Sequence, residues 1–479
     1  MITLLLVIIG VIIVILLLLR IILMINKYMC RYIYKISSYN VKVIGFFHPY
    51  CDNGGGGERV LWMIIQALLT NDDIRENIKI FIYNGNNSTN TYDVINKAKK
   101  QFQIDLSRYS DSIIIVNIKS RFLLEPQWYP IATMICQCIA SMVVGIECFL
   151  KLTPDIYIDT TGASFTYPLA KIICMSKTIA YVHYPIISSD MLKKVRDQRP
   201  SYNNNERIAT NLTISRVKLL YYNVFAYLYK FVGLYADIVF VNSSWTYGHM
   251  SQLWKSSSTN KINLMYPPCN TSHLENIPLH INNEIKRERI IISIGQFRPE
   301  KDHMLQLESY SILKSSKKYD DVKLILVGST RNKEDENIVN NLKKKIFEKD
   351  LNDNVEIKIN TPFEEMYSLL TRSAIGLHTM WNEHFGISIV EMMAAGLVVV
   401  AHKSGGPLMD IVTNASDSNA RLGYLAESAE EYADCMRQAL DAYDTEANDD
   451  LRIRARQHIK KFSDEEFAIY VVEVFNTIL

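Results

Sequence analysis

Two glutamates eight residues apart form the most informative pattern in the sequence. Glu383 lies in the run Trp-Asn-Glu-His-Phe-Gly, and Glu391 follows it inside an apolar helical segment. A carboxylate partway along an apolar helix needs a polar partner, and ribose hydroxyls would serve. A helix start formed by Phe385, Gly386 and Ile387 can hold phosphate oxygens through its backbone N–H groups. The pattern predicts a nucleotide-binding segment, whereas Glu391 taken by itself also fits a solvated helix face.

Two cations occupy an equivalent place earlier in the chain. Arg298 and Lys301 follow a predicted strand at 290–294 and precede a predicted helix at 302–313. A guanidinium fork and a compact ammonium at such a turn suit a diphosphate. We therefore expect this turn to bind one, with a solvated basic turn as the alternative.

Four consecutive glycines, at 54 to 57, lie between a predicted strand at 41–47 and a predicted helix at 60–69. Gly54, Gly55, Gly56 and Gly57 let the backbone approach a ligand near a helix N-terminus. Their spacing matches neither GxGxxG nor GxxxxGK[ST], which disfavours a nicotinamide dehydrogenase or a P-loop NTPase. A flexible turn is the alternative interpretation.

Two further segments come at predicted strand ends. His183 follows the strand at 178–182, and Ser404-Gly405-Gly406-Pro407 follows the strand at 398–401. A lone histidine is more often structural, but at a strand end that faces a cleft it can contact a sugar or take part in catalysis.

The candidate residues must be positioned by strands and helices, whose sequence signals alternate along the chain. The alternation runs from residue 41 to 265 and begins again near 289, which predicts parallel sheets covered on both faces. The predicted fold is α/β, with two doubly wound Rossmann-like domains facing a cleft. We place the domains at 41–265 and 287–460, and expect a C-terminal helix at 461–479 that packs back on the first.

Composition supports folded domains and excludes some functions. Of the 479 residues 48% are hydrophobic and 21% charged, which rules out a disordered chain. The 52 basic and 50 acidic residues leave a net charge of +2, so no nucleic acid is expected as a partner. The eight cysteines include no CxxC pair and predict free buried thiols without a metal site.

The hydrophobic excess lies largely at the amino terminus. From residue 2 to 25 the only charge is Arg20, a length that can span a bilayer. We predict a transmembrane anchor at 1–26; a cleaved signal peptide fits less well because no basic residue precedes the apolar run. Lys27, Arg31 and Lys35 follow the run and place the rest of the chain in the cytosol. Two later apolar runs, 131–150 and 212–235, are compatible with a second span, an interfacial helix or an ordinary buried helix.

Together these motifs resemble the retaining GT-B glycosyltransferases with an E-x7-E signature. Within that class they look like the GDP-mannose-dependent α-1,2-mannosyltransferases of the dolichol-linked oligosaccharide pathway. The closer resemblance rests on residues 45–50 (Gly-Phe-Phe-His-Pro-Tyr), 181–185 (Tyr-Val-His-Tyr-Pro), 266–269 (Tyr-Pro-Pro-Cys) and 382–387 (Asn-Glu-His-Phe-Gly-Ile). It covers nearly all of the chain after residue 41.

The resemblance implies a role for each candidate residue. Arg298 and Lys301 match the diphosphate-binding pair, and Glu391 matches the acid that binds the donor ribose. Glu383 matches the first E-x7-E acid, near the donor sugar and the reaction centre, and His183 matches a cleft histidine that contacts the transferred sugar. These two are the candidate catalytic residues. The glycine run matches a loop near the diphosphate and acceptor. The chain has Gln296 where many relatives have arginine, and Arg298 supplies that charge.

The resemblance also implies partners and a location. The donor is GDP-mannose, the acceptor a dolichol-diphosphate oligosaccharide that receives its fourth and fifth mannoses, and no metal or other cofactor is expected. The resemblance implies a single-pass protein of the endoplasmic reticulum membrane with cytosolic catalytic domains, and the other mannosyltransferases of the pathway are further candidate partners. The alternatives are a GT-B enzyme for another membrane lipid, such as a glycerolipid or sterol, and an inactive scaffold.

Overall fold

The computed structural model describes residues 2–36, 40–86, 90–187, 191, 212–254, 261–279, 287–413, 420–443 and 445–479. The chain divides into two compact units. The first comprises Met1–Asn242, Thr246–Met265 and Phe467–Leu479. The second comprises Ser243–Trp245 and Tyr266–Glu466.

A parallel sheet forms the centre of the first unit. Within the described residues its strands are β1 (Lys42–Phe47), β2 (Ile78–Asn84), β3 (Ile113–Asn117), β4 (Ile156–Asp159), β5 (Lys177–Val182), β6 (Ile238–Val241) and β7 (Lys261–Leu264). They pair in the order β3-β2-β1-β4-β5-β6-β7. In register, Ile44 of β1 lies opposite Ile80 on one side and Ile156 on the other. Such continuous apolar strands are typical of a parallel sheet buried on both faces.

Helices supply the two cores that flank this sheet. The helices of the first unit are Ile2–Ile33, Gly56–Thr70, Asp72–Arg75, Thr91–Phe102, Thr133–Lys151 and Leu212–Gly233, with most of Ser244–Trp254 and of Asp464–Ile478. Val43 and Phe47 of β1 join one core with Phe149 and Phe225. The alternate β1 residues join the other core, which contains Val471 of the last helix. The last helix therefore packs mainly within the first unit.

The first helix continues past the predicted anchor, to Ile33. Its stretch Ile13–Ile33 is long and apolar enough to cross a membrane, and only 11% of its most apolar part is buried. Its end is fastened to the first unit, since Lys27 Nζ lies 2.8 Å and an Arg31 guanidinium nitrogen 2.5 Å from the Asp155 carboxylate. The helix Thr133–Lys151 is also long and apolar enough to cross a membrane, and 39% of its most apolar part is buried.

The second unit is built around another parallel sheet. Within the described residues its strands are β8 (Glu288–Ile294), β9 (Lys323–Gly328), β10 (Val355–Ile359), β11 (Ser373–His378), β12 (Val398–His402) and β13 (Tyr424–Ala426). They pair in the order β10-β9-β8-β11-β12-β13. Its helices are Thr271–Glu275, His303–Leu313, Lys333–Glu348, Phe363–Arg372, Ile387–Ala394, Ala429–Asp441 and Glu446–Ile459.

Each sheet has one position where the strand order reverses. In the first unit it lies between β1 and β4, and in the second between β8 and β11. In open parallel sheets the carboxyl ends of the strands at this switch point form the usual ligand-binding crevice. The predicted α/β fold of two doubly wound domains is thus confirmed, and the candidate residues can be located against these two positions.

Candidate functional site

Lys301 and Glu383, predicted separately from two motifs, meet at the switch point of the second unit. Lys301 follows β8, Glu383 follows β11, and the Lys301 ammonium lies 2.5 Å from Glu383 Oε2. The two side chains are 22% and 12% exposed, so the ion pair is partly shielded from water. Partial burial makes such a pair stronger than an ion pair on the surface.

The Lys301 turn is fixed to the end of β11 by side chains that sequence analysis did not select. The Thr379 hydroxyl lies 2.8 Å from the backbone oxygen of Lys301 and 3.1 Å from that of Asp302. Gln306 Nε2 donates to the same hydroxyl at 2.9 Å. Asp302 caps the helix His303–Leu313. The ammonium of Lys301 is therefore presented from an anchored backbone.

The Glu383 loop is supported by the Ser404-Gly405-Gly406 turn after β12. Gly406 N donates to the backbone oxygen of Glu383 at 2.8 Å, and Asn382 N donates to Ser404 Oγ at 2.7 Å. Gly405 has a φ of +59°, and a Cβ at this position would overlap the Glu383 backbone oxygen. This glycine turn thus positions the glutamate through close backbone contact.

Three donors surround the Glu383 carboxylate. Oε2 is bonded by Lys301 and by His378 Nε2 at 3.1 Å, and Oε1 accepts from His384 N at 3.2 Å. Burial would raise the pKa of Glu383, but the Lys301 charge and the His378 hydrogen bond hold this pKa well below its ordinary value. Glu383 is therefore ionised at neutral pH and can accept a hydrogen bond from a sugar hydroxyl but cannot donate a proton.

The remaining candidates of the second unit differ in what they offer a ligand. The Arg298 guanidinium lies 3.5 Å from the Glu300 carboxylate and is 29% exposed. Gly386, with a φ of +115°, caps the helix Ile387–Ala394, in which Glu391 is half-buried. The Phe385 ring is buried against Tyr266 and Phe462, so only its backbone can serve a ligand. The first N–H groups of this helix, including that of Ile387, have no intrahelical acceptor.

The glycine run of the first unit lies at that unit's own switch point. His48, directly after β1, has Nδ1 at 2.7 Å from the Thr160 hydroxyl, directly after β4. Its Nε2 lies 3.5 Å from Glu58, whose other oxygen accepts from Gly55 N at 2.8 Å. Burial would raise the pKa of Glu58, but the bonds to His48 and to the backbone lower it overall. The Glu58 carboxylate therefore already accepts from one of the backbone N–H groups at the start of this helix.

His183 lies against the same segment. Its Nε2 is 3.1 Å from the backbone oxygen of Thr160, and a Cβ built on Gly57 would lie 3.4 Å from Nε2. Its ring centroid lies 4.8 Å from that of Tyr181. The structure thus brings together two predicted elements of the first unit, the glycine run and the histidine.

Sequence analysis assigned no individual role to several polar residues of these segments. They are His48, Glu58 and Thr160 in the first unit and His378, Thr379 and His402 in the second. Apart from Glu58 they lie at or directly after strand ends, which is the signal that could have identified them. Across the described residues, no group of three or more His, Cys, Asp or Glu side chains could hold a metal ion; metal-free chemistry stays a prediction.

A buried histidine beside the ion pair predicts a specific pH dependence of stability. His303 is 4% exposed, and burial, with repulsion from the Lys301 ammonium, lowers its pKa to about 4. In the unfolded chain a histidine titrates near about 6.5, so the unfolded state gains a proton first as the pH falls. This contribution to the free energy of unfolding is complete above about pH 6.5 and is lost as the pH falls towards about 4. The loss amounts to about 2 kcal/mol by about pH 5.

We therefore expect His303→Phe to lose less stability on acidification than the parent chain. Urea unfolding followed by fluorescence measures the free energy of unfolding of each protein at about pH 7 and about pH 5. The contributions of titratable residues common to both proteins cancel in the comparison. His273→Phe, which alters an exposed histidine of the same unit, is the control. Equal losses in the parent chain and in His303→Phe would remove His303 as the source.

The fold, with the Lys301 and Glu383 turns at one switch point and the glycine run at the other, is that of a GT-B glycosyltransferase. A glycosyltransferase from Rickettsia africae is similar over 92% of this chain and 99% of its own, with a TM-score of 0.60 and 16% identity. Anabaena HepE in complex with UDP and glucose is similar over 91% of this chain and 99% of its own, with a TM-score of 0.57 and 16% identity. Residues 279–458 match the family described as glycosyl transferases group 1.

The chain belongs to the family of GDP-Man:Man(3)GlcNAc(2)-PP-Dol alpha-1,2-mannosyltransferases. A protein of that name from Mus musculus is 42% identical over 430 residues, which cover 89% of this chain and 85% of the mouse protein. One from Dictyostelium discoideum is 37% identical and covers 89% of this chain and 82% of its own. Residues 41–254 match the family described as ALG11 mannosyltransferase N-terminus. The resemblance drawn from the motifs is thus confirmed.

Proposed function

We propose that the chain transfers mannose from GDP-mannose, in α-1,2 linkage, to Man3GlcNAc2-PP-dolichol and adds its fourth and fifth mannoses. The observation that carries this proposal is the 42% identity, across 89% of the chain, to a transferase whose name states this donor, acceptor and linkage. The Lys301–Glu383 pair at the switch point supports it, since it combines a cation for a diphosphate with an ionised acceptor for a sugar hydroxyl. The same relatives favour the dolichol-linked acceptor over a glycerolipid or a sterol.

In this proposal the second unit binds the donor. Lys301, Arg298 and the helix start at Phe385, Gly386 and Ile387 hold the diphosphate and stabilise the charge that develops as GDP leaves. These protein cations do the work that a metal ion does in other transferases, so no metal or other cofactor is invoked. Glu391 would bind the ribose hydroxyls.

In the first unit, His183 would contact the transferred sugar, and the run from Gly54 to Gly57 would approach the diphosphate and acceptor. The bond from mannose C1 to the phosphate oxygen breaks, and a bond from C1 to the acceptor oxygen forms on the same face. The acceptor hydroxyl proton leaves on the departing phosphate. The configuration at C1 is retained, and no residue of the chain forms a covalent intermediate.

Donor specificity provides the test of this proposal. The purified chain in detergent, with the trimannosyl lipid acceptor, is expected to move radiolabel from GDP-mannose into lipid extract. UDP-glucose at the same concentration is the control donor and should give no labelled lipid. Transfer from UDP-glucose without transfer from GDP-mannose would overturn the proposal.

We further propose a single-pass location in the endoplasmic reticulum membrane, with both units cytosolic. The apolar stretch Ile13–Ile33 supports the span, and the basic residues Lys27 and Arg31 at its end support the orientation. The helix Thr133–Lys151 fits a span less well. Its residues Val144 and Phe149 are buried in the core, and its Glu147 accepts hydrogen bonds from the backbone of residues 119 and 120.

The helix Leu212–Gly233 supports additional contact with the bilayer surface. Its inner face is buried in the core through Tyr222, Phe225 and Tyr229. A second apolar stripe, with spacings of three and four residues, is 49% to 73% exposed and consists of Val217, Leu220, Val224, Tyr227 and Phe231. Five exposed apolar residues on one helical face, with Arg216 and Lys230 nearby, fit a helix lying in the lipid interface.

A nitroxide label tests this contact in the full chain reconstituted in phosphatidylcholine vesicles. At Leu220→Cys we expect the label to be accessible to oxygen and shielded from a water-soluble nickel chelate, because oxygen concentrates in lipid. Lys100→Cys, on an exposed site of the same unit, is the control and should show the reverse. Equal chelate accessibility at both sites would show that the stripe lies in water.

A further inference from the structure

The second unit contains a histidine that faces the ion pair and that neither the motifs nor the comparisons select. His378 is the last residue of β11, and its side chain is 3% exposed. Its Nε2 lies 3.1 Å from Glu383 Oε2, the oxygen that also accepts from Lys301. Its backbone oxygen accepts from the Tyr432 hydroxyl at 3.0 Å. Both the backbone and the ring of this residue are therefore held in place.

The surroundings of the His378 ring determine which of its two nitrogens carries the proton. An ionised carboxylate only accepts, so Nε2 must donate to Glu383. Nδ1 is buried without a hydrogen-bond partner, which fits the neutral ring with its proton on Nε2. A second positive charge beside Lys301 would be unfavourable, and burial lowers the pKa of His378. The other histidines that interact electrostatically with the ring, His303 and His402, carry no negative charge that would favour an imidazolium.

The hydrogen bond from His378 restricts the carboxylate. With Lys301 and His378 both on Oε2, and His384 N on Oε1, the plane of the carboxylate is fixed from three directions. Without His378 the carboxylate keeps a strong bond only to the flexible ammonium. A pair of flexible side chains samples several geometries, and a displacement of about 1 Å at a reacting centre can cost about a hundredfold in rate.

We infer that His378 is a positioning residue for the donor diphosphate: its Nε2–H fixes Glu383, and Glu383 in turn fixes the Lys301 ammonium. This inference rests on the proposed function for the identity of the donor. It assigns to His378 no contact with the substrate and no proton transfer. Its effect is therefore confined to steps that depend on the donor.

The test compares two variants of the full chain. His378→Leu removes the N–H group that donates to Glu383, whereas His378→Gln keeps an N–H near the position of Nε2. With GDP-mannose varied at saturating acceptor, we expect His378→Leu to lower kcat/KM by about 10- to 100-fold. His378→Gln should recover most of the loss, and the KM for the lipid acceptor should stay within about twofold of the parent value. His458→Leu, which removes a half-buried histidine bonded to the backbone oxygen of Asp410, is the matched control with unchanged kcat/KM.

Three outcomes would overturn the inference. They are an unchanged kcat/KM in His378→Leu, an equal loss in His378→Gln, and a loss that falls equally on donor and acceptor. Calorimetric titration with GDP alone separates this inference from the proposed function. If the parent chain transfers no mannose but binds GDP, and His378→Leu binds it more weakly, the proposed function fails while the positioning role stands. If GDP binds equally to both, the positioning role fails.

Discussion

Glu383→Ala is expected to lower kcat by about 10²- to 10³-fold or more while the fold persists. The substitution removes the carboxylate that Lys301 and His378 share and leaves a partly buried ammonium and a buried N–H without their acceptor. It also removes the ionised oxygen proposed to accept from the sugar. Because the loop is held by backbone bonds through Gly406, the unit is expected to keep its thermal unfolding midpoint within a few degrees.

Glu383→Gln separates charge from shape at the same position. Glutamine keeps the length and one acceptor oxygen but cannot balance the Lys301 charge. We expect at least about a tenfold loss of kcat, intermediate between alanine and the parent chain. Initial rates with radiolabelled GDP-mannose, alongside circular dichroism of each variant, provide the measurement. Near-normal turnover of Glu383→Ala would remove Glu383 from the site.

Lys301→Met is expected to lower kcat/KM for GDP-mannose by about 10²- to 10³-fold. Methionine retains the apolar stem but has no charge for the leaving diphosphate, and it leaves Glu383 with a buried charge that lacks its strongest partner. Lys343→Met, on an exposed part of a helix in the same unit, is the control with unchanged rates.

The double variant of Lys301→Met and Glu383→Gln tests whether the two residues act as a unit. Residues in direct contact show non-additive effects, so the loss in the double variant should be well below the product of the two single losses. Strictly multiplicative losses would show that the two side chains act independently. In that case the ion pair in the structure would not be the functional arrangement.

Most of the fold follows from sequence pattern because parallel strands buried on both faces are continuous apolar runs. The alternation of these runs with helices was enough to predict two doubly wound domains. The short strands β7 and β13 were not predicted, since four and three residues give little pattern. The helix at 56–70 begins four residues before the predicted start because Gly56 and Gly57 form part of its first turn.

The site was predictable where residue type and strand end coincide. Arg298, Lys301 and Glu383 were selected because charges between a strand and a helix are conspicuous, and the structure places two of them in contact. His378 was not selected because a lone histidine that ends a strand is more often a structural residue. Its role depends on a neighbour that only the sheet order reveals.

A similar limit applied in the first unit. His48 and Thr160 are more than a hundred residues apart, and only the pairing of β1 with β4 brings their side chains to 2.7 Å. Glu58 is conspicuous in the sequence as the residue after the glycine run, but its bond to Gly55 N depends on where the helix starts. Such contacts are set by sheet order and helix register, which spacing alone does not determine.

The most direct test of the central claim is the structure of the product formed from GDP-mannose and Man3GlcNAc2-PP-dolichol. We expect mass spectrometry of the released glycan to show the addition of two hexoses, and α-1,2-mannosidase to remove both. The Glu383→Ala variant should give neither addition and so excludes a contaminating transferase. An unextended acceptor, or a product resistant to α-1,2-mannosidase, would contradict the account.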